Sequence, residues 1–583
     1  MAVPARKRRR GGRRIALALG LFLFVLVAAG AWVGVRGLAA KRHLTAARAE
    51  VPLLRNALLA DDRTGVSERL AAVQRETAAA RRLTSDPVWR LAEQVPFAGR
   101  SLETAGGLAG AVDDLARQTL PELDVASRTL ALKSLRPTGD RIALEPLAAA
   151  REPLRRVRDS VRRTEDRVRL LPSSGVAGPV AEARTGFLAE LASLRGSTET
   201  AVTAVEVAPA MLGRDGKRRY FLAILNNAEM RGSGGLLGAY GILEADRGRL
   251  RMRELGTNAT LRNLPTPAVD LGPEFAARYD RFATRSYWVN ANMSPHFPSA
   301  SRIWTSLWAR THGGERLDGT IAVDPVGLAA ILRVTGPAPL PGGGSVTAAN
   351  VVELTEREAY ERFRADNDAR DAFLQEVARA AYLKAVSGAG DTAALVRALA
   401  SAAGGRHVQV ASERSAEAAL LSRTPLAGEL PTDRHTPYLE VLAQNAGGNK
   451  LDYYVRRDVR WARDGEGATV QVRLRNDAPP NLPPYVSNRL DLPGLKAPVP
   501  GQQRLYVSVY GGVGGGLLGA TLDGRAVTLE SEVERGHPVF SLFLDVDPGA
   551  ERVLVLRLRE PAQGPPVVRV QPVVVPDRIT IVP

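Results

Sequence analysis

The sequence predicts an α+β multidomain protein with a transmembrane helix, a helical stalk or bundle, an α/β domain and a C-terminal β-sandwich. Three observations predict it: one long uncharged apolar run, a stretch with apolar residues at helical spacing, and short apolar runs between turn residues from Lys217 onward. A chain of 583 residues is too long for one hydrophobic core. The predicted domains are a cytoplasmic basic tail (1–14), a transmembrane helix (15–36), a helical stalk or bundle (37–210), a mixed α/β domain (217–437), a β-sandwich (438–562) and an extended tail (563–583).

The apolar run extends from Ile15 to Val35 without a charged residue. A helix of this length would cross the roughly 30 Å hydrocarbon core of a bilayer, whereas a cleaved signal peptide has a shorter apolar run. More Arg and Lys residues precede the run than follow it, which predicts a cytoplasmic N-terminus. We therefore expect a single-pass protein of the cell membrane whose C-terminal domains are extracytoplasmic.

The segment 37–210 is rich in Ala, Leu, Arg and Glu and is predicted to form long helices. One helix has an apolar face and carries arginines over much of the remaining surface. That apolar face comprises Leu154, Val157, Val161, Val168 and Leu171. The arginines could form a basic docking surface or a solvated face. Interleaved Asp and Glu residues favour the solvated face, because they can form local ion pairs.

Strand and helix signals alternate between residues 217 and 437. The stretches "RRYFLAILNN" and "LGAYGILEAD" have strand character, whereas "SASRIWTSLWART" is helical. This mixed order predicts a sheet covered by helices. After Tyr438, stretches such as "ATVQVRLRND" and "ERVLVLRLREP" alternate at regular spacing, which predicts a β-sandwich, and the Pro- and Val-rich end predicts an extended tail.

Composition excludes several classes of function. The net charge of +17 is spread along the chain, and no zinc finger, RNA-recognition signature or homeodomain pattern is present, so nucleic acid is not an expected partner. Anionic envelope polymers and lipid head groups are better partners for this charge. The absence of cysteine rules out disulfides, thiolate metal sites and cysteine nucleophiles.

The sequence contains no standard catalytic constellation. The glycines 514, 516 and 519 form a Gly-x-Gly-x-x-Gly pattern, but they lie in β-rich sequence with no helix to follow. The histidines form no His-Glu-x-x-His pattern, and there is no Walker motif. The sequence therefore predicts neither catalytic residues nor a metal site, and no cofactor is expected.

An unusual set of polar residues surrounds the strand ends and one helical stretch. Arginine side chains and the backbone N–H groups of a Gly-rich turn can together hold phosphate or pyrophosphate. The alternative is that the asparagines cap turns and the arginines form ion pairs on a solvated helix. Two similar stretches, "FLAILNNA" and "LEVLAQNA", both run a strand into an Asn-Ala turn. The candidate ligand-binding residues are Asn227, Glu229, Arg231, Asn290, Asn292, Arg362, Arg364, Asp368, Arg370 and Asn445.

Several spaced motifs resemble one family. These are "FLAILNNAEMRGSGGLLGAYGIL", "NANMSPHFPSASR", "LDGTIAVDPVGLAAILRVTGP", "NVVELTEREAY" and "NAGGNKLDYYVRR". Together they are similar to the actinobacterial domain of unknown function 4012, over about residues 80 to 490. That family is membrane-anchored and has no settled activity, so the resemblance implies topology rather than chemistry.

A remoter resemblance implies a chemistry. "LDGTIAVDPVGLAAILRVTGP" and "RFRADNDARDAFLQEVARAAYLKAV" resemble segments of the LytR-CpsA-Psr family, whose members transfer glycopolymers from a polyprenyl pyrophosphate carrier with the help of magnesium. The resemblance implies that Arg362, Arg364 and Arg370 grip the pyrophosphate and that Glu229 and Arg231 form the opposite wall. It also implies an α/β domain of that family's kind.

The sequence departs from that family at the magnesium-binding positions. The aspartate of its Ser-Asp-Thr motif falls near Gly234 and Gly235, and its Pro-Arg-Asp motif falls near "GTNATL", which has neither charge. The departure favours binding over transfer.

The expected function is therefore binding of a phosphorylated or polyprenyl-linked glycan during assembly of an envelope polysaccharide. The alternatives are a structural scaffold that contacts envelope proteins and an active glycopolymer phosphotransferase. For a binding function we expect Asn227, Arg231, Arg362 and Arg370 to meet at one cavity. The loop after Leu225 should then face the arginines across an apolar groove.

Overall fold

The computed structural model describes residues 11–60, 62–130, 141–387, 390–465, 467–492, 494, 497–560 and 563–582. The chain divides into two compact units. The first comprises Met1–Leu132 and Glu145–Glu206, and the second comprises Lys133–Leu144 and Val207–Pro583.

The described residues up to 211 form helices. They are α1 (Gly11–Ala60), α2 (Arg63–Leu83), α3 (Pro87–Ala92), α4 (Gly99–Asp114), α5 (Leu120–Leu130), α6 (Glu145–Ala149), α7 (Arg151–Leu170) and α8 (Gly178–Met211). Aspartates begin two of them: the side chain of Asp62 accepts a hydrogen bond from the N–H of Gly65, and that of Asp86 caps α3. On α7 the predicted apolar residues from Leu154 to Val168 are buried.

The arginines of α7 form ion pairs with acidic residues of the first unit. Arg162 Nη2 lies 2.5 Å from Glu199, and Arg155 Nε lies 2.6 Å from Glu206. The side chains of both arginines remain partly exposed, so each pair contributes little to stability. These two pairs join α7 to α8, whereas Arg158 and Asp159, 2.8 Å apart, form a pair within α7 of the local kind that the sequence predicts.

Within the described residues, no helix combines the length and the apolar character needed to span a bilayer. This finding contradicts the predicted transmembrane helix at 15–36, the single-pass topology and the cell-membrane localisation. The segment belongs to α1, a helix of 50 residues. Farther along it, Ala40 packs against Ala80 and Ala109 of neighbouring helices, and Arg36 Nε lies 2.9 Å from Asp86. Residues 1–10 of the predicted tail lie outside the described residues.

The α/β half of the second unit, residues 217–437, contains a five-stranded mixed sheet. Its strands and the small hairpin β5–β6 are β1 (Arg218–Arg231), β2 (Gly234–Asp246), β3 (Arg249–Thr257), β4 (Gly319–Val323), β5 (Ala338–Pro339), β6 (Ser345–Val346) and β7 (Val408–Ser412). The strand order is β3-β2-β1-β4-β7, in which β4 lies parallel to β1 and the other neighbours are antiparallel. A parallel pair requires a crossover, which here carries two helices between β3 and β4.

Helices cover this sheet, as the alternating signals predict. They are α9 (Pro273–Tyr279), α10 (Phe297–Thr311), α11 (Pro325–Thr335), α12 (Val351–Glu353), α13 (Ala359–Arg362), α14 (Asn367–Val386), α15 (Thr392–Gly404) and α16 (Ser415–Leu421). A π-helical turn joins α12 to α13. The core is aromatic: Phe221 of β1 stacks with Trp288 and Trp304 at ring distances of 5.5 and 5.8 Å. These large buried rings fix α10 against the sheet.

The sandwich half, residues 438–583, contains two sheets and a short helix. The elements are β8 (Tyr438–Asn445), β9 (Val455–Asp464), β10 (Gly467–Asn476), α17 (Pro484–Ser487), β11 (Gln503–Tyr510), β12 (Gly516–Leu522), β13 (Arg525–Ala526), β14 (Glu530–Glu534), β15 (His537–Val546), β16 (Glu551–Arg559), β17 (Val567–Val570) and β18 (Arg578–Val582). One sheet has the order β13-β12-β16-β10-β9-β18 and the other β14-β15-β11-β8-β17. Buried Trp461, Val507 and Leu556 belong to their common core.

The segment predicted to be an extended tail forms two strands instead. β17 pairs in parallel with β8, and β18 pairs in parallel with β9. Both are edge strands, so they satisfy backbone groups of β8 and β9 that would otherwise be unpaired.

A cluster of buried polar side chains joins the two halves of the second unit. Arg278 of α9 is fully buried and ion-pairs with Glu532. Its guanidinium lies 5.1 Å from the ring of Tyr279 and 5.5 Å from that of Tyr510. Both tyrosine hydroxyls donate to Glu534 at 2.6 Å. We call these five residues the Arg278 cluster.

Candidate functional site

Strand β1 contains a bulge at the stretch that the sequence singled out. Asn226 pairs with Leu236 and Met230 pairs with Gly235, so three residues of β1 have no opposite residue on β2. Their N–H groups are buried and need other acceptors. Glu356 accepts from the N–H groups of Asn227, at 3.3 Å, and Ala228.

A second carboxylate holds the end of the bulge. Asp452 accepts from the N–H of Met230 at 2.6 Å and from the side-chain amides of Asn445 and Gln503. Burial raises the pKa of Asp452 to about 7, although these hydrogen bonds act in the opposite direction. The bulge is therefore fixed from the α/β half by Glu356 and from the sandwich half by Asp452.

The glycines beside the bulge allow close backbone contacts. A Cβ atom on Gly235 would lie 2.0 Å from the carbonyl oxygen of Asn226, and one on Gly232 would lie 2.1 Å from that of Met293. Gly234 has a φ of +129°. The Gly-rich turn is thus required by packing around the bulge.

The bulge brings Glu229 and Arg231 together with Lys450 of the sandwich half. Arg231 Nη2 donates to Glu229 at 2.9 Å, and Lys450 Nζ donates to the other carboxylate oxygen at 2.5 Å. All three are at least nine-tenths buried. Burial opposes ionisation of Glu229, but the charges of Lys450 and Arg231 outweigh it and lower its pKa. We call these residues the charged trio.

The charged trio lines a cavity of about 310 Å³. Tyr485 and Leu490, which are 42% and 62% exposed, also line it, so the cavity reaches the surface. Its volume is at the lower end of the range for ligand sites, about 300 to 1,000 Å³. The apolar part of the lining includes Ile224, Leu225, Leu236, Ala239, Val289, Val323, Leu328, Leu374, Val377 and Ala378.

An arginine and two tyrosines form another wall of the cavity. The guanidinium of Arg370 lies 3.9 Å from the ring centre of Tyr485 and 5.4 Å from that of Tyr360. Arg370 also donates to Asn367 and Asp371. Its side chain is therefore held in place by stacking and by a carboxylate.

Glu356 is the cavity residue with the most perturbed protonation. Burial, and to a lesser degree the charge of Asp324, raise its pKa to about 8, against the hydrogen bonds from Ala228 and Asn227 and the charge of Lys450. Asp324 caps α11 and accepts from His407 Nδ1 at 2.7 Å. Glu356 is therefore mostly protonated at neutral pH.

One nitrogen of the charged trio has no partner. Arg231 Nε is buried and has no hydrogen-bond partner among the described residues. Arg231 also lines the cavity, so its positive charge lies close to any ligand bound there.

The structure separates the arginines that the sequence grouped together. Arg370 lines the cavity, but Arg362 lines a different cavity of about 450 Å³ beside glycines 342–344. Arg364 donates to the carbonyl of Asn481 at 2.9 Å, and Asp368 is exposed on α14. The expected convergence therefore holds for Arg231 and Arg370 and is wrong for Arg362.

The candidate asparagines make structural hydrogen bonds. Asn227 donates to the carbonyl of Pro572 at 2.9 Å, and Asn292 donates to that of Gly235 at 2.8 Å. Asn290 donates to Phe282, and its side-chain oxygen lies 3.5 Å from Arg231 Nη2. None of these three lines the cavity, and Asn227 is wrong as a member of the expected convergence.

Asn445 supports the bulge rather than the cavity. Its side chain donates to Asp452 and Asn449, and its carbonyl accepts from Arg231 Nη1 at 3.3 Å. The two similar strand ends, "NNA" and "QNA", therefore do meet at the bulge, although they lie in different sheets.

Sequence reasoning missed Glu356, Tyr360, Lys450 and Tyr485. Glu356 and Tyr360 stand in "NVVELTEREAY" and Lys450 in "NAGGNKLDYYVRR", so the motifs that carried the family resemblance contained the signal. Tyr485 gave none, because it lies in a Pro-rich connection of the sandwich. Among the residues that the structure describes, no group of three or more His, Asp or Glu side chains is arranged to hold a metal ion.

Comparisons with known proteins support the family alone. Residues 215–360 match the family described as "Protein of unknown function (DUF4012)", a narrower range than the 80 to 490 expected. No curated protein matches the chain, and no solved structure matches it. The matched range includes β1, β2, Glu356 and Tyr360, but the cavity also uses Arg370, Lys450 and Tyr485 from beyond it.

Proposed function

We propose, on the premise that residues 215–360 match that family, that the second unit binds a phosphorylated or polyprenyl-linked glycan in its cavity during assembly of an envelope polysaccharide. The observation that carries this proposal is the presence of three buried cationic side chains, Arg231, Arg370 and Lys450, in the lining of a cavity with largely apolar walls. Such a cavity suits a ligand with an anionic group beside an apolar chain.

The aromatic wall supports a ligand of this kind. Tyr485 and Arg370 form a flat stacked surface near the opening, against which a sugar ring or a prenyl group can pack. The cavity is small, so it would enclose the phosphate and the nearest part of the chain, with the rest of a long carrier outside.

An actinobacterial origin and the remoter resemblance to LytR-CpsA-Psr proteins are both parts of this proposal, and the resemblance has structural support. It is supported by β4, which leads directly into α11 at the stretch "LDGTIAVDPVGLAAILRVTGP" that carries the likeness. Binding without transfer is the activity we propose, because the two acidic motifs of that family are absent from the sequence.

A titration with a short analogue tests the proposal. We expect the full chain to bind glucosyl geranyl phosphate, a phosphodiester, more tightly than geranyl glucoside, which lacks the phosphate. Isothermal titration calorimetry measures both affinities. Since Ala378 lines the cavity, Ala378→Trp should abolish binding by filling it.

The same helix provides a matched control. Ala372 lies on α14 but lines the second cavity, so Ala372→Trp should bind as the wild type does. Equal binding by Ala378→Trp and the wild type would show that the ligand sits elsewhere. If the wild type binds neither compound, the scaffold alternative replaces this proposal.

A further inference from the structure

The positive and negative charges of the side chains that line the cavity nearly cancel. Its cations are Arg231, Arg370 and Lys450, and its carboxylates other than Glu356 are Glu229, Asp324 and Asp371. If Glu356 is neutral, the cavity lining has three positive and three negative charges. If Glu356 is ionised, the lining has one negative charge in excess.

We infer, building on the proposed function, that the cavity takes a ligand with a single negative charge and that Glu356 carries a proton whenever this ligand is bound. Glu356 is buried, so an ionised Glu356 and an anion bound in the same cavity would repel each other more strongly than two charges in water. Protonation of Glu356 removes that repulsion. It also supplies an O–H group that can donate to the ligand.

The groups that face Glu356 leave it no cation of its own. From β1 it meets the N–H groups of Asn227 and Ala228, and from the start of α11 it meets the negative charge of Asp324. Lys450 is a positive charge that acts to lower the pKa of Glu356, but it is already bound to Glu229. A ligand anion at Arg231 would therefore add a negative charge that the existing ion pairs do not balance.

The other charged groups around Glu356 are also paired. Arg370 and Asp371 of α14 bond to each other, and Asp452 lies on the far side of the bulge, bonded to the N–H of Met230. Tyr360, on the same helix as Glu356, accepts a hydrogen bond from Asn226. None of these groups supplies a free positive charge to a ligand beside Glu356.

The protonation change falls within an accessible pH range. Burial holds the pKa of Glu356 at about 8, so the empty cavity contains a mixture of both forms near that pH. Below about pH 7 the residue is already protonated, and binding needs no further proton. Above pH 8 each binding event should take up one proton, and the affinity should fall by up to about tenfold per pH unit.

This inference specifies the ligand class. A sugar linked to its carrier through a single phosphate is a phosphodiester with one negative charge. A pyrophosphate link carries two, so with Glu356 protonated it leaves two negative charges unbalanced in the cavity, whereas the single phosphate leaves one. The proposed site should therefore prefer the single-phosphate link.

Calorimetry in two buffers of different ionisation enthalpy tests the inference. The probes are glucosyl geranyl phosphate and glucosyl geranyl diphosphate, neither of which changes its own charge between about pH 6 and 9. We expect the full chain to take up close to one proton per monophosphate ligand at pH 9 and none at pH 6. We also expect weaker binding of the diphosphate.

Glu356→Gln keeps the shape of the side chain but cannot titrate. The variant should bind the monophosphate without proton uptake and with an affinity that does not depend on pH. If the variant does not fold, the proton uptake of the wild type at pH 6 and pH 9 and its preference between the two probes are sufficient to test the inference. Binding of the monophosphate without proton uptake at pH 9, or diphosphate binding of equal strength, overturns this inference but leaves the proposed function intact. Failure of both probes to bind overturns the proposed function.

Discussion

The Arg278 cluster and the cavity both bury arginine in the second unit, but of the two arginines Arg278 and Arg231, only Arg231 lines one of the two cavities described above. Arg278 is enclosed by two tyrosine rings and by Glu532, Ser508 and Ser541. Arg231 is equally buried, yet it lines a cavity open to the surface. An unsatisfied N–H does not separate them, because Arg278 Nε also lacks a hydrogen-bond partner among the described residues.

The comparison separates an arginine that is enclosed by its partners from one that lines a cavity. In the Arg278 cluster, the arginine is fully buried among rings and carboxylates, so we expect its ion pairs to contribute to folding. At Arg231 and Arg370 the paired carboxylates leave volume on one side. The difference predicts that substitutions in the cluster affect stability and that substitutions around the cavity affect binding.

The largest expected effect is on stability, in the Arg278 cluster. Arg278→Ala leaves Glu532 and Glu534 without their buried cation, which should cost about 3–5 kcal/mol in the free energy of unfolding. Chemical denaturation measures this loss. Arg281→Ala is the control: it removes a partly exposed pair with Glu530, and it should cost less than about 1 kcal/mol. Equal losses would mean that burial does not set the energetic importance of these arginines.

The next effect concerns Glu356 and its pH dependence. In the folded protein the side chain of Glu356 keeps its proton up to about pH 8, whereas in the unfolded chain the same side chain loses it near pH 4.3. The stability contributed by the protonated form is complete below about pH 4.3 and is lost as the pH rises to about 8. The wild type should therefore lose on the order of 3 kcal/mol relative to Glu356→Gln between about pH 5 and 8. Parallel stability curves for the two proteins would contradict the raised pKa.

A smaller effect is expected on binding at the cavity. Arg370→Ala removes a cation and the stacking support of Tyr485, and it should weaken binding of glucosyl geranyl phosphate by about 1.5–3 kcal/mol. Calorimetry measures the change, and a thermal melt checks the fold. Arg362→Ala, in the second cavity, should bind as the wild type does. If Arg362→Ala weakened binding as much, the ligand would have to extend across both cavities.

The smallest effect is expected at Arg364. Its side chain is exposed and donates one hydrogen bond to the carbonyl of Asn481. Arg364→Ala should change both stability and affinity by less than about 0.5 kcal/mol. A tenfold loss of affinity in this variant would restore the arginine grip that the remoter family resemblance implies.

Local sequence patterns indicated individual elements better than their long-range pairing. The apolar runs after Lys217 do lie in strands, and the alternating stretches after Tyr438 do as well. The residues Val567–Val570 looked like a tail because their partner strand, β8, lies more than a hundred residues earlier. The transmembrane prediction used only the local apolar run and did not foresee that α1 packs along neighbouring helices.

Because local sequence patterns do not show long-range packing, only some of the candidate residues were correctly assigned to the cavity. Glu229 and Arg231 could be found because they follow a recognisable strand. Arg362 and Arg370 could not be assigned to one face, because α13 ends at Arg362 and α14 begins at Asn367, which breaks the helical spacing between them. Lys450 reaches the cavity only through tertiary packing of the sandwich half.

The hydrogen bond from Asn227 to Pro572 has a consequence for how the cavity arises during folding. It joins residues 345 positions apart, and Gln571 beside it donates to the carbonyl of Arg231 across 340 positions. Contacts between residues so far apart in the sequence close long loops. Because closing a long loop costs conformational entropy, such contacts form slowly. Strand pairing within β1 and β2 can precede this closure. We therefore expect the bulge to reach its final shape late in the folding of the second unit, after β1 has paired with β2.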